Sequence, residues 1–174
     1  MAAKRTPTLR KYLAEMDAEA LREELERLVA KFPEVKKFYL ADLSGDTSSM
    51  VQAAQKQIAR SFQTSTGKWR RARSSKLNSI QRDFEAISVY KEDILALLFF
   101  RLEHTAPYLN HFKPTTSPML AATVRIFERA CELSQALLVT EKYQPLLKAL
   151  IPRFDDQYLR RDLKEVFDAQ FPDA

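Results

Sequence analysis

Glycine is nearly missing from this chain: two occur in 174 residues, about 1% against a typical ~7%. Folds that need glycine at tight turns and phosphate loops are starved of it, which argues against sandwiches, dinucleotide-binding domains and hairpin-rich sheets. Cysteine is just as scarce. Cys131 stands alone, so no internal disulfide forms, nothing points to an oxidising compartment, and a cytoplasmic setting is expected. The longest apolar run, Ile94 to Phe100, is seven residues, far short of the ~20 that span a bilayer. No membrane insertion is expected, and the charged N-terminus lacks the apolar core of a signal peptide.

What is present is a 45% hydrophobic chain, enough for one helical domain over 1–174 that buries roughly 70% of its unfolded surface. Apolar residues recur at three- and four-residue intervals almost throughout. Thr6-Pro7 starts a short helix over 7–16. Asp17 caps a second one whose stripe is Leu21, Leu25, Leu28, Val29 and Phe32. Pro33 ends that helix and starts a brief third, and Ser44-Gly45-Asp46-Thr47 is a turn. Further helices are expected over 48–63 and 75–87, with 63–75 as an exposed loop containing Gly67. The segment 89–104 is apolar around most of its circumference, which marks a central helix, and Pro107 ends or bends it. Ser117-Pro118 opens a long helix ending near Val139. Thr140 caps the next, and Asp155 or Asp156 opens the last. The fold class is all-α: an irregular bundle or stack of helical hairpins, about eight or nine helices, without a sheet.

Charge is distributed unevenly. The formal total is +5, yet residues 1–46 and 113–174 each balance their acids and bases, and 83–112 is acidic. Residues 47–82 hold Lys56, Arg60, Lys68, Arg70, Arg71, Arg73, Lys76 and Arg82 without a single acid. This segment belongs to a basic helix–loop–helix, 47–87. In its loop, Lys68-Trp69-Arg70-Arg71-Ala72-Arg73 surrounds the only tryptophan with four cations. Cations suit phosphates, and an exposed indole offers a stacking platform worth ~1–3 kcal/mol per base. Lys56, Arg60, Lys68, Trp69, Arg70, Arg71, Arg73 and Lys76 are therefore the candidate contact residues for RNA or another polyanion. Two other readings compete. The segment is a solvated face that pairs with the acids of 83–103 and with Glu23, Glu24 and Glu26 while Trp69 tucks into the core, or it meets an acidic protein partner.

Other constellations carry less. Thr66-Gly67-Lys68 lacks the upstream glycine and following hydroxyl of a phosphate loop, with Phe62 and Trp69 in those places. His104 and His111 flank Pro107 without a third metal ligand at a familiar spacing. Cys131 lies on an apolar stripe and reads as a small buried hydrophobe. Glu128 and Glu132 share a helix face with Arg125 and Arg129 beside them, which favours surface ion pairs. No catalytic set, metal or cofactor is expected.

The runs Leu9-Arg10-Lys11-Tyr12-Leu13, Glu24-Leu25 and Lys31-Phe32-Pro33-Glu34-Val35-Lys36-Lys37-Phe38-Tyr39 resemble the opening of a bacterial family of small helical proteins of unknown function. The resemblance continues more weakly through a basic block comparable to Gln55–Arg82 and an apolar helix like Ile94–Leu102. It implies a bacterial, all-helical, single-domain protein and transfers no site. The expectation is thus a non-enzymatic helical binding protein whose basic loop contacts RNA or another polyanion. The runner-up is a protein–protein adaptor or a small helical subunit of a larger complex, docking through an apolar face.

Overall fold

The computed structural model describes residues 8–114 and 118–172. Among them are nine α-helices and no strand, the all-α architecture that the apolar periodicity implies. The chain divides between Gly45 and Asp46 into two compact units.

The first unit holds α1 (Leu9–Ala14), α2 (Ala18–Lys31) and α3 (Pro33–Ser44). Asp17 caps α2 as expected, its Oδ1 accepting from the backbone N–H groups of Glu19 at 3.1 Å and Ala20 at 2.8 Å, two of the donors a helix start leaves unpaired. Pro33 occupies the first turn of α3, where its missing N–H costs nothing. Gly45 closes α3 at φ +64°, its N–H donating to the Ala41 carbonyl at 3.0 Å. That left-handed position is one a Cβ disfavours. Helices α2 and α3 pack on each other, but neither α1 nor α2 buries a residue. The Thr6-Pro7 start lies outside the described residues.

The second unit is built on α4 (Ser48–Phe62), α5 (Ser74–Glu85), α6 (Lys91–Phe112), α7 (Pro118–Ala136), α8 (Thr140–Leu150) and α9 (Gln157–Gln170), with a 3-10 turn at Ile151–Arg153. Helix α6 is the central one. It packs against α4, α5, α7 and α8, and Leu95, Leu97, Leu98, Leu102 and Ala106 are each at most 1% exposed. These residues cover more than one face of the helix, as its nearly continuous apolar sequence requires. Helix α7 contributes Phe127, Ala130 and Cys131, all fully buried, and α9 contributes Leu159, Leu163 and Phe167 from a clean i, i+4 stripe.

Two local expectations change and a third is resolved. Of the two outcomes expected at Pro107, an end or a bend, the end does not occur: α6 continues through it to Phe112. Proline removes one ladder bond, and a helix held by partners on several sides tolerates that loss. The helix stops instead at Lys113, whose φ of +43° takes the left-handed turn. Thr140 is the first residue of α8 rather than its cap, and its hydroxyl donates back to the Ser134 carbonyl at 3.5 Å. Of the two candidates for opening α9, Asp156 does so, with Oδ1 accepting from Tyr158 and Leu159 N–H at 2.9 Å each. The Ser117-Pro118 cap lies partly outside the described residues.

Candidate functional site

The loop between α4 and α5 is shorter and better ordered by hydrogen bonds than its composition implies. Thr64 to Gly67 form a tight turn, with the Gly67 N–H donating to the Thr64 carbonyl at 3.0 Å and Gly67 at φ +76°. The Thr64 hydroxyl accepts from the Lys68 N–H at 3.1 Å, and the Thr64 N–H donates to the Lys68 carbonyl at 2.9 Å. Gln63 and Trp69 then form an isolated antiparallel bridge, and the Arg70 N–H donates to the Phe62 carbonyl at 2.8 Å. The chain thus doubles back along the end of α4 before entering α5. That return brings cations distant in sequence onto one surface.

Arg60 from α4, Arg70, Arg71 and Arg73 from the returning segment, and Lys76 from α5 line one open groove of about 490 Å³, with Gln57, Ser61 and Ala72 completing it. No acid lines the groove. All five cations are exposed, and none is in an ion pair among the described residues. Of the acids that one reading of the sequence assigned to the segment, three pair with other cations, while Asp83 lies 4.0 Å from Arg82 of the segment itself. Glu85 takes both guanidinium nitrogens of Arg129 at 2.8 Å, Glu103 pairs with Arg153 at 3.1 Å, and Glu24 pairs with Arg27. Lys56 and Lys68 are also exposed but do not line the groove. One guanidinium bond is spent locally, the Arg70 Nη1 donating to the Arg60 carbonyl at 3.4 Å, near the C-terminus of α4 where carbonyls lack partners.

Trp69 differs from the exposed platform that its charged neighbours suggest. It is half-buried and packed against the core. Its ring stacks on His111 at 5.1 Å and 20° and meets Tyr108 edge-on at 6.3 Å. The Tyr108 hydroxyl also donates to the Ala72 carbonyl at 3.4 Å, so two turns of α6 hold the loop from below. Pocket-forming residues beyond the basic segment were not visible in the sequence: Glu103, His104 and Pro107 of α6, with Arg153, form a recess of about 360 Å³ with Phe62, Gln63 and Trp69. The only sequence signal for them was the pair of histidines flanking Pro107.

Those histidines belong to the aromatic packing. His104 lies 4.1 Å from Phe100 and 6.4 Å from Phe62 between ring centroids, and its Nδ1 donates to the Phe100 carbonyl at 3.0 Å. Cys131 is fully buried, and burial pushes its thiol up to about 12, the opposite of what a reactive thiolate requires. Arg129 pairs with Glu85 on α5 rather than with Glu128 or Glu132 on its own helix, so that carboxylate pair is not bracketed by arginines as its spacing suggests. Among the described residues no group of three His, Cys, Asp or Glu side chains is placed to hold a metal ion, and no helix is long and apolar enough to cross a membrane.

No curated protein and no solved structure matches the chain. One family model does, along residues 2–169, and it takes in both compact units and every residue of the groove and the recess. The resemblance read from the opening motifs is borne out: the chain belongs to a family of unknown function, DUF6155.

Proposed function

We propose that this protein binds RNA by its phosphate backbone, in the groove between the end of α4 and the start of α5. One observation carries the reading: five cations line a single open surface without an acid among them and without an ion pair. Crowding like charges is unfavourable, and a polyanion relieves it by exchanging its condensed counterions for the side chains. Arginine's flat fork suits phosphate oxygens better than a point charge does, and four of the five cations are arginines. Contacts of this type fix register on a strand without reading its sequence. The role is that of a binding protein and not of an enzyme.

The test is the salt dependence of binding to a labelled single-stranded oligonucleotide. With five phosphates neutralised, log K is expected to fall with log salt at a slope of about −3.5. The triple variant Arg70→Ala, Arg71→Ala, Arg73→Ala is expected to bind more weakly and to flatten the slope to about −1.5. Wild-type affinity in the triple variant would sink the reading.

A second reading, a protein–protein adaptor, is favoured by a separate observation in the first unit. Nine of the fourteen exposed large hydrophobics among the described residues lie there, including Leu25, Phe32 and Tyr39. Leu25, Val29, Ala30, Pro33 and Tyr39 line an apolar groove flanked by Glu26 and Lys36, which suits an amphipathic partner helix carrying one charge of each sign at its edges. The expected mark is a stoichiometric partner that stays bound in high salt and is lost from a Leu25→Glu variant with unchanged helical circular dichroism.

A further inference from the structure

The recess at Trp69 and the basic groove are built from the same two stretches of chain. Arg60 and Ser61 line the groove while Phe62 and Gln63 line the recess; Arg70 lines the groove while Trp69 lines the recess. The two cavities are thus lined by bonded neighbours, Ser61 beside Phe62 and Trp69 beside Arg70. We infer that the recess receives one unstacked nucleobase of the strand whose phosphates lie in the groove, which makes the ligand single-stranded RNA. The inference rests on the phosphate-binding reading and adds the base site to it.

Its chemistry separates the recess from the groove. Trp69 and His104 supply the aromatic part of the lining, and Phe62, held by the core at 1% exposure, closes the recess beneath them. The His104 ring is oriented by its bond to the Phe100 carbonyl. Trp69 contributes to the wall even though His111 stacks on the indole. Aromatic walls attract a heterocycle by stacking and are indifferent to a phosphate. At the rim stand Gln63, whose amide both donates and accepts, and the Glu103–Arg153 pair at 3.1 Å, which offers an acceptor and a donor side by side. That set matches the mixed edge of a base. A second phosphate, by contrast, meets a pair without net charge and gains little there. The volume of about 360 Å³ lies at the lower end of small-ligand sites, a size for one ring system and not for a stack. A base inside a duplex must first be unpaired and unstacked to enter it, a cost that a single strand is largely spared.

Trp69 is the only tryptophan, so its fluorescence reports on the recess directly. The experiment titrates the full chain with an unstructured oligouridylate, with an RNA duplex and with inorganic polyphosphate, following Trp69 emission together with a binding readout. Oligouridylate is expected to quench emission in step with binding, while polyphosphate binds without quenching and the duplex binds with little. Gln63→Ala is expected to weaken oligouridylate by about tenfold, the worth of a paired base contact, and to leave polyphosphate unchanged. If all three polyanions bind alike, emission stays constant and Gln63→Ala has no effect, the base site is overturned and the phosphate groove stands. If none of them binds, both readings fall together.

Discussion

Arg101→Met is expected to make the folded protein more stable at neutral pH, by about 1–4 kcal/mol. Arg101 is 2% exposed at the centre of α6. Its Nη2 donates to the Asn78 side-chain oxygen at 2.8 Å, its Nε has no partner, and no carboxylate forms an ion pair with it among the described residues. Burial pulls the guanidinium well below its ordinary value, to about 10, a shift on the order of 3 kcal/mol against the charged form. The sign follows from proton counting. From about pH 10 up to the ordinary arginine value the unfolded chain holds the proton that the folded chain has released, so stability rises with pH in that window. Below it both forms are charged and the full penalty is present. Methionine removes the charge while keeping a long apolar stem. Denaturant melts at neutral pH check the gain, and the advantage over wild type is expected to narrow once the pH passes about 10. Asn78→Ala, which strips the guanidinium of its one neutral partner, is expected to cost about 1.5–3 kcal/mol. A methionine variant less stable than wild type would show that the buried charge is net favourable.

Phe62→Ala is expected to have the larger cost, about 3–5 kcal/mol. Phe62 ends α4, is 1% exposed, and sits between His104 at 6.4 Å and Tyr108 at 5.2 Å. Removing the ring opens a void between the end of α4 and the His104 and Tyr108 rings of α6. Because the Phe62 carbonyl also receives the Arg70 N–H, loosening α4 here disturbs the groove and the recess at once. Phe62→Leu keeps most of the volume and is expected to lose less than about half as much. The comparison is read from denaturant midpoints of the two variants against wild type. Equal stability of Phe62→Ala and wild type would mean that the end of α4 is frayed rather than packed.

The parts of the fold that depend on local chemistry were legible in the residues. Asp17 and Asp156 announce helix starts because a short carboxylate reaches its own backbone, and Pro33 announces one because its ring presets φ. Helix α6 was legible as central from its unbroken apolar run. Its passage through Pro107 was not, because the forces that carry a helix past a proline come from α4, α7 and α8, which no local window contains. The cations of the candidate site were legible since most are neighbours in sequence. Their freedom from ion pairs was not: it depends on Glu85 and Glu103 finding Arg129 and Arg153 on distant elements. The recess was invisible for the same reason. A run without aliphatic residues reads as an exposed loop, yet Trp69 and Ala72 anchor this one by packing against the core.

The turn at Thr64–Gly67, with the bonds that tie Lys68 and Arg70 back to the end of α4, also bears on how fast a ligand is caught. Arg70 and Arg71 follow a backbone that folding has already fixed, so little chain entropy is left to lose at encounter. On the proposed reading, association has no disorder-to-order step to wait for. Its rate is then expected to follow diffusion in the field of the five cations and to slow as salt screens them, while the lifetime of such a complex would rest on the contacts made after arrival.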